Sequence, residues 1–242
     1  MLEEAEARAF QAVGRLNIAG SRFCTATLIA PDRVLTAAHC LYNPRTRRAV
    51  PLSTLKFVAG LRLGGYAAVR RVARAATPAA YVYDGAARLD TVSADLALLQ
   101  LQRPVGPKDV APLAVGAPAR RGEAKALVSY ARDRAHAPSI ERACRVRSRI
   151  GPVHALDCET TFGASGAPIV TGEGAARRVA AIVSASARGP GDEPLSLTVE
   201  ALRSLPELER RLARGADGAR YAGPGRRAGG AARSGARLSV GD

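Results

Sequence analysis

The chain has 242 residues, 47% of them hydrophobic, which is enough to bury a sizeable core and excludes a wholly disordered polypeptide. No run of about 18 uncharged apolar residues occurs, so no membrane-spanning helix is expected. The net charge is +15, and 33 of the 36 basic residues are Arg. Such a charge can mark a polyanion partner. Arg, Ala and Gly are abundant along the whole chain, however, and aromatics able to stack on bases are few. A compositional habit is the better account, and no specific nucleic-acid partner is expected.

Four cysteines lack the paired Cys-x-x-Cys spacing of a zinc site. Two disulfides are the expectation, which implies an oxidising compartment and a secreted or periplasmic protein. The start, Met1-Leu2-Glu3-Glu4-Ala5-Glu6, is acidic and carries no apolar signal core. A removed signal peptide or a start further upstream would reconcile the two; a cytoplasmic protein with free thiols is the weakest alternative.

Residues 1–11 read as a short acidic helix or a disordered arm. In residues 22–40 an apolar run, Ala26 to Ala30, is broken by the turn signal Pro31-Asp32-Arg33. A second run, Val34-Leu35-Thr36, then leads into Ala37-Ala38-His39-Cys40. The pattern predicts a hairpin of two buried strands ending at a histidine, with Cys24 and Cys40 placed where a disulfide could close it. Further short runs follow at Leu55–Gly60, Ala67–Val72 and Leu96–Leu101. Evenly spaced short strands with turn signals suggest a closed β-barrel.

Pro104, Pro107, Pro112 and Pro118 mark residues 103–118 as a crossover. A second set of runs covers Ala124–Tyr130, Arg142–Ile150, Val153–Asp157, Ala167–Val170, Val179–Ala185 and Leu195–Val199, predicting a second barrel. Leu202, Leu205, Leu208 and Leu212 recur at helical spacing and predict a closing helix over about residues 200–212. Residues 213–242 hold eight Gly, eight Ala and six Arg, and are expected to be disordered.

Three motifs carry chemistry. Leu35-Thr36-Ala37-Ala38-His39-Cys40 resembles the histidine motif of trypsin-like (chymotrypsin-fold) serine proteases. Ser93-Ala94-Asp95-Leu96-Ala97-Leu98-Leu99 resembles that family's aspartate strand, and Gly163-Ala164-Ser165-Gly166-Ala167-Pro168 its nucleophile loop. They occur in the order His, Asp, Ser that the family uses, and the Cys24–Cys40 spacing matches its histidine disulfide. The similarity spans about residues 12–205.

The resemblance implies an all-β protein of two packed antiparallel six-stranded β-barrels with a C-terminal helix. It also implies a serine endopeptidase needing no metal or other cofactor. Barrel one would cover about 12–105 and barrel two about 115–200, with an N-terminal arm at 1–11. Ser165 would be the nucleophile, since a serine hydroxyl needs a base beside it. His39 would be that base and later the acid. Asp95 would fix the imidazole tautomer; the neighbouring Asp84 and Asp90 open no clean apolar strand.

By the same resemblance, Gly163 and Ser165 donate the oxyanion-hole N–H groups. Ser184, Ala185 and Ser186 match the substrate-binding strand, with Ala185 where the family usually has Trp. Glu159 stands where trypsin-type pockets carry an acidic floor, which implies a preference for Arg or Lys before the scissile bond. Glutamate-specific members carry a His near Val183–Ser184, and this chain does not. Cys144 and Cys158 would form the second disulfide.

The mammalian activation switch pairs a new N-terminal amine with an Asp before the nucleophile. Here that residue is Ala164, and no Ile-Val-Gly-Gly precedes Val13-Gly14-Arg15-Leu16. Other contacts must hold the oxyanion loop, in the style of secreted bacterial members such as the glutamyl endopeptidases. His136 and His154 have no partner motif, and incidental packing is expected for both. The expected partner is a protein or peptide substrate, met by a monomer. The rival reading is a catalytically silent homologue that binds a peptide or an anionic surface.

Overall fold

The computed structural model describes residues 2–118, 124–215 and 238–239. Six strands close the first barrel: β1 (Val13–Ile18), β2 (Arg22–Ala30), β3 (Arg33–Thr36), β4 (Leu55–Ala59), β5 (Ala68–Ala76) and β6 (Ala97–Leu101). Their order around the barrel is β1-β2-β3-β6-β5-β4, with β4 returning to pair with β1. The hairpin read from the sequence is β2–β3, paired antiparallel with Thr27 opposite Leu35 and Leu28 opposite Val34.

Alternation along β2 explains how the barrel serves two purposes. Cys24, Ala26 and Leu28 point into the core with Leu16, Leu35, Phe57 and Leu98. The intervening Thr25 and Thr27 are buried on the other face, as the two-residue period of a strand requires. Of these, Thr25 faces the second barrel, where its hydroxyl meets Tyr130 and Gly163.

The second barrel is built from β7 (Ala124–Ser129), β8 (Ser139–Ile150), β9 (Val153–Leu156), β10 (Pro168–Thr171), β11 (Arg178–Arg188) and β12 (Pro194–Glu200). Pairing of β10 with β11 closes it. Leu127, Val146, Leu156, Ile169 and Val183 fill its core. The two-barrel, all-β architecture with a C-terminal helix is the one expected from the sequence.

Helix α1 (Glu4–Ala9) resolves the two options left open for residues 1–11 in favour of a helix. Leu2 and Phe10, on either side of it, are buried with Val128, Tyr130 and Val170, so the arm is tied to the second barrel. The Leu2 N–H donates to the Pro138 carbonyl at 3.0 Å, and Arg142 pairs with Glu6. A short helix α2 (Leu89–Ser93) precedes the aspartate motif and had no counterpart in the sequence reading.

Helix α3 (Ala201–Ala213) packs against β5 and β6 of one barrel and β11 of the other. Leu208 and Leu212 are buried, whereas Leu202 is 45% exposed, so the helical stripe is narrower than the leucine spacing suggests. Residues 213–242 are not uniformly without structure. Ala213 ends α3, and Leu238–Ser239 form a strand, β13, which lies antiparallel to β11 with Ser239 opposite Ser186 and Leu238 opposite Ala187. Residues 216–237 and 240–242 of the expected disordered tail lie outside the described residues.

Candidate active site

His39 stands on a single 3-10 turn, Ala38–Leu41, directly after β3. Ala37, Ala38 and Cys40 beside it are fully buried, and small side chains let the turn lie against the barrel. Cys40 is bonded to Cys24 on β2, with Cα atoms 6.3 Å apart, so the hairpin that delivers the histidine is stapled. The second disulfide joins Cys144 on β8 to Cys158, Cα atoms 5.3 Å apart. All four cysteines are therefore paired as the family resemblance implies.

Asp95 lies just before β6 and is 3% exposed. One of its oxygens, Oδ1, accepts the His39 backbone N–H at 2.8 Å. The other, Oδ2, lies 2.7 Å from His39 Nδ1 and accepts the Ser184 hydroxyl at 2.5 Å. Burial alone would push this carboxyl up. The adjacent imidazole, the Ser184 hydroxyl and the His39 N–H together outweigh burial and hold Asp95 below the usual carboxylate range. A buried carboxylate with three donors stays ionised.

Against this anion, the His39 Nδ1 position must carry a proton, which leaves Nε2 as the basic nitrogen. Nε2 is buried and has no hydrogen-bond partner among the described residues. An orphaned buried nitrogen of this kind is costly unless something will use it. Asp84 and Asp90, by contrast, belong to an exposed cluster with Arg88.

Ser165 follows a sharp turn between Cys158 and β10 and is 7% exposed. Gly163 has φ +95°, the left-handed region in which side chains are strained, and a Cβ there would meet the Phe23 ring at 2.4 Å. Gly166 has φ +79°, and a Cβ would meet the Thr25 carbonyl oxygen at 2.2 Å. Both glycines of the motif are thus dictated by backbone geometry and close approach.

The loop's peptide groups are anchored through their carbonyls. The Arg132 N–H donates to the Phe162 oxygen at 2.7 Å and the Ala167 N–H to the Ala164 oxygen at 2.9 Å. Since C=O and N–H of one trans peptide point in opposite directions, these bonds orient the Gly163 and Ser165 N–H groups. Neither N–H is taken by a protein acceptor among the described residues.

Two further contacts join the loop to its surroundings. The Thr25 N–H donates to the Ser165 carbonyl at 2.9 Å, and the Gly166 N–H to the Val183 carbonyl at 2.8 Å. One ties the serine to β2 beside the Cys24–Cys40 staple, although Ser165 makes no hydrogen bond to His39 Nε2. The other places it next to Ser184, the partner of Asp95.

The pocket-floor assignment of Glu159 fares differently. Glu159 is exposed and lines a cleft of about 300 Å³ with Glu141, Ser129, Arg134 and Ser139. Its backbone N–H donates to the Glu141 carboxylate at 3.2 Å. Burial, then the neighbouring Glu159 and Asp157 charges, pushes Glu141 up. The residue that meets Ser186 is Thr160, the two hydroxyls lying 2.9 Å apart. Ser196 on β12 adds a third hydroxyl, 3.0 Å from that of Thr160. The strand carrying Ser184, Ala185 and Ser186 is thus faced by hydroxyls and not by the Glu159 carboxylate.

Sequence reasoning did not single out Thr25, Arg132, or the tyrosines behind the histidine. Tyr81 and Tyr83 line the wall around His39 and Asp95, and Tyr83 stacks on Tyr42 with centroids 4.8 Å apart. Burial, reinforced by Asp95, drives the Tyr81 phenol far above its ordinary range, so it remains a neutral hydroxyl. The alternation Tyr81-Val82-Tyr83 was the available signal. Of the other histidines, His154 is buried, with Nε2 2.9 Å from Glu200 and 2.6 Å from Arg149. Burial, then Arg149, holds it below its usual value.

Comparison with known proteins bears on this geometry. A family model described as Trypsin matches residues 2–199. A solved glutamyl (Glu) endopeptidase, determined with MPD bound, superposes with a TM-score of 0.69 at 16% identity, covering 84% of this chain and 91% of its own. A thermostable serine protease, AL20, from an extremophilic microorganism superposes with a TM-score of 0.64 at 14% identity, covering 84% of this chain and 98% of its own. At these identities the two structures establish a shared fold.

Proposed function

This chain belongs to the trypsin family of serine endopeptidases, and on that premise we propose that it hydrolyses peptide bonds through His39, Asp95 and Ser165. Ser165 Oγ attacks the scissile carbonyl while His39 Nε2 takes its proton. The tetrahedral oxyanion is met by the N–H groups of Gly163 and Ser165, each such donor being worth on the order of 3 kcal/mol. The imidazolium, steadied by Asp95, returns the proton to the leaving amine. Water, deprotonated by the same nitrogen, then releases the acid from the acyl-enzyme. The observation that carries this reading is the buried Asp95–His39 pair at 2.7 Å, which leaves a partnerless Nε2.

An extended substrate would add antiparallel to β11 along Ser184–Ser186. Pairing of Leu238–Ser239 with Ser186 and Ala187 supports the capacity of that edge to take a strand. For the residue before the scissile bond, the exposed position of Glu159 does not support a preference for Arg or Lys. The hydroxyls of Thr160, Ser186 and Ser196 favour an uncharged side chain, and the specificity in the name of the glutamyl endopeptidase is not carried over. Two disulfides fit work in an oxidising compartment, outside the cell or in a periplasm.

The test is mass spectrometry after treatment with a fluorophosphonate probe. One adduct on Ser165, absent in His39→Ala and Ser165→Ala, is expected. No adduct on a folded, disulfide-intact parent would refute the reading and favour a silent binding homologue.

A further inference from the structure

We infer that Thr25 is the positioning residue that holds the oxyanion-binding conformation of the nucleophile loop, taking the place of an acid–amine pair next to the serine. The inference rests on the peptidase reading above. Where an acid would stand, this chain has the buried Ala164, which can anchor nothing through its side chain. The loop nevertheless has to hold two N–H groups aimed at one point, with Gly163 as its most freely rotating link.

Four consecutive peptide groups run from Phe162 to Gly166, and each has an anchored carbonyl. Arg132 and Ala167 hold those of Phe162 and Ala164. Among the described residues, Thr25 alone holds the other two. Its hydroxyl donates to the Gly163 oxygen at 2.9 Å, and its backbone N–H donates to the Ser165 oxygen at 2.9 Å. The hydroxyl bond matters most, because it falls on the glycine. The Gly163 carbonyl belongs to the peptide plane between the two that carry the Gly163 and Ser165 N–H groups, so its rotation, through ψ of Gly163 and φ of Ala164, would turn those two donors away from a common point.

The hydroxyl is itself directed. It accepts the Tyr130 N–H at 3.0 Å, and of the two carbonyls within reach of its single proton, that of Gly163 at 2.9 Å is nearer than that of Tyr130 at 3.3 Å. Thr25 is fully buried, sits beside Cys24 in the stapled hairpin, and has its own carbonyl held by the Thr36 hydroxyl at 2.9 Å. Tyr130 is fixed in turn by its phenol donating to the Leu61 carbonyl at 2.8 Å. Barrel one thus grips the loop of barrel two through one side chain that both donates and accepts. Valine fills the same space in the same strand but can do neither, and serine can do both.

The experiment compares the full chain with Thr25→Val and Thr25→Ser, using fluorophosphonate titration to count assembled sites. On a peptide or ester the parent cleaves, Thr25→Val should lose about 10- to 100-fold in kcat with KM nearly unchanged, as a small misplacement of catalytic groups does. Inhibition by a peptide aldehyde, whose adduct carries the oxyanion, should weaken by a similar factor. Thr25→Ser should restore both. Amide hydrogen exchange of residues 161–166 should be faster in Thr25→Val than in the parent.

A folded Thr25→Val with parental kcat and parental exchange overturns the inference. So does a loss that Thr25→Ser shares. If the parent is neither labelled by the probe nor active, the peptidase reading fails, and the exchange comparison still decides whether Thr25 holds the loop.

Discussion

Replacing Asp95 by Asn exchanges one carboxylate oxygen for an NH2 group at a site where every neighbour is a donor. Oδ1 faces the His39 backbone N–H, which cannot invert its role. The amide oxygen must therefore stay there, and the NH2 group falls at the Oδ2 position, facing Nδ1 and the Ser184 hydroxyl. The imidazole can relieve this only by moving its proton to Nε2 and accepting at Nδ1. Nε2 then carries a hydrogen and cannot take one from Ser165. The general triad template places the cost of this inversion at about 10⁴-fold in kcat, or about 5.5 kcal/mol of transition-state stabilisation. The assay is single-turnover acylation of Asp95→Asn by an activated ester, with the thermal midpoint measured alongside. A folded variant within tenfold of the parent rate would refute the assignment of Asp95. The fold should also become less dependent on acidity. A carboxyl depressed in the folded state contributes stability above its unfolded value, near 3.9, which is lost as pH falls through the lower folded value. Asp95→Asn should remove that part of the acid limb.

Three further outcomes are expected. Gly166→Ala places a methyl 2.2 Å from the Thr25 oxygen at φ +79°, at a cost of about 3 kcal/mol or more, and calorimetry should show the midpoint lowered by roughly 6–12 °C; an unchanged midpoint would contradict the close approach. Glu141 has a raised carboxyl, so its charged form disfavours the fold above that raised value and not below the unfolded one. Glu141→Gln should therefore raise the urea midpoint at pH 7 and bring no gain near pH 3, and an equal gain at both would remove the electrostatic explanation. Ending the chain after Gly215 removes the strand paired with Ser186 and Ala187; KM should drop by about two- to fivefold at constant kcat if that strand competes as a tethered ligand, whereas an unchanged KM means the edge is open to substrate in either form.

What was legible in the sequence was the local chemistry and its order. The Pro31-Asp32-Arg33 turn, the small residues around His39, and the positive-φ glycines at 163 and 166 mark their turns by backbone rules, although the close approach of Phe23 and Thr25 to those glycines belongs to the tertiary structure. Short apolar runs marked most strands for the same reason. Tertiary structure decided what depends on which face of an element meets which other. Glu159 stands at a suggestive spacing from Ser165, yet it is exposed, its backbone N–H meets Glu141, and it is Thr160 that lies against Ser186. Leu202 shares the spacing of Leu208 but lies off the face that α3 buries. Thr25 reads as an ordinary strand threonine, and its hold on Gly163 exists only because two residues 138 positions apart meet where the barrels pack. Spacing along a chain prescribes the local turn; the pairing of a buried donor with its acceptor is set by the packing of whole barrels, to which no short motif refers.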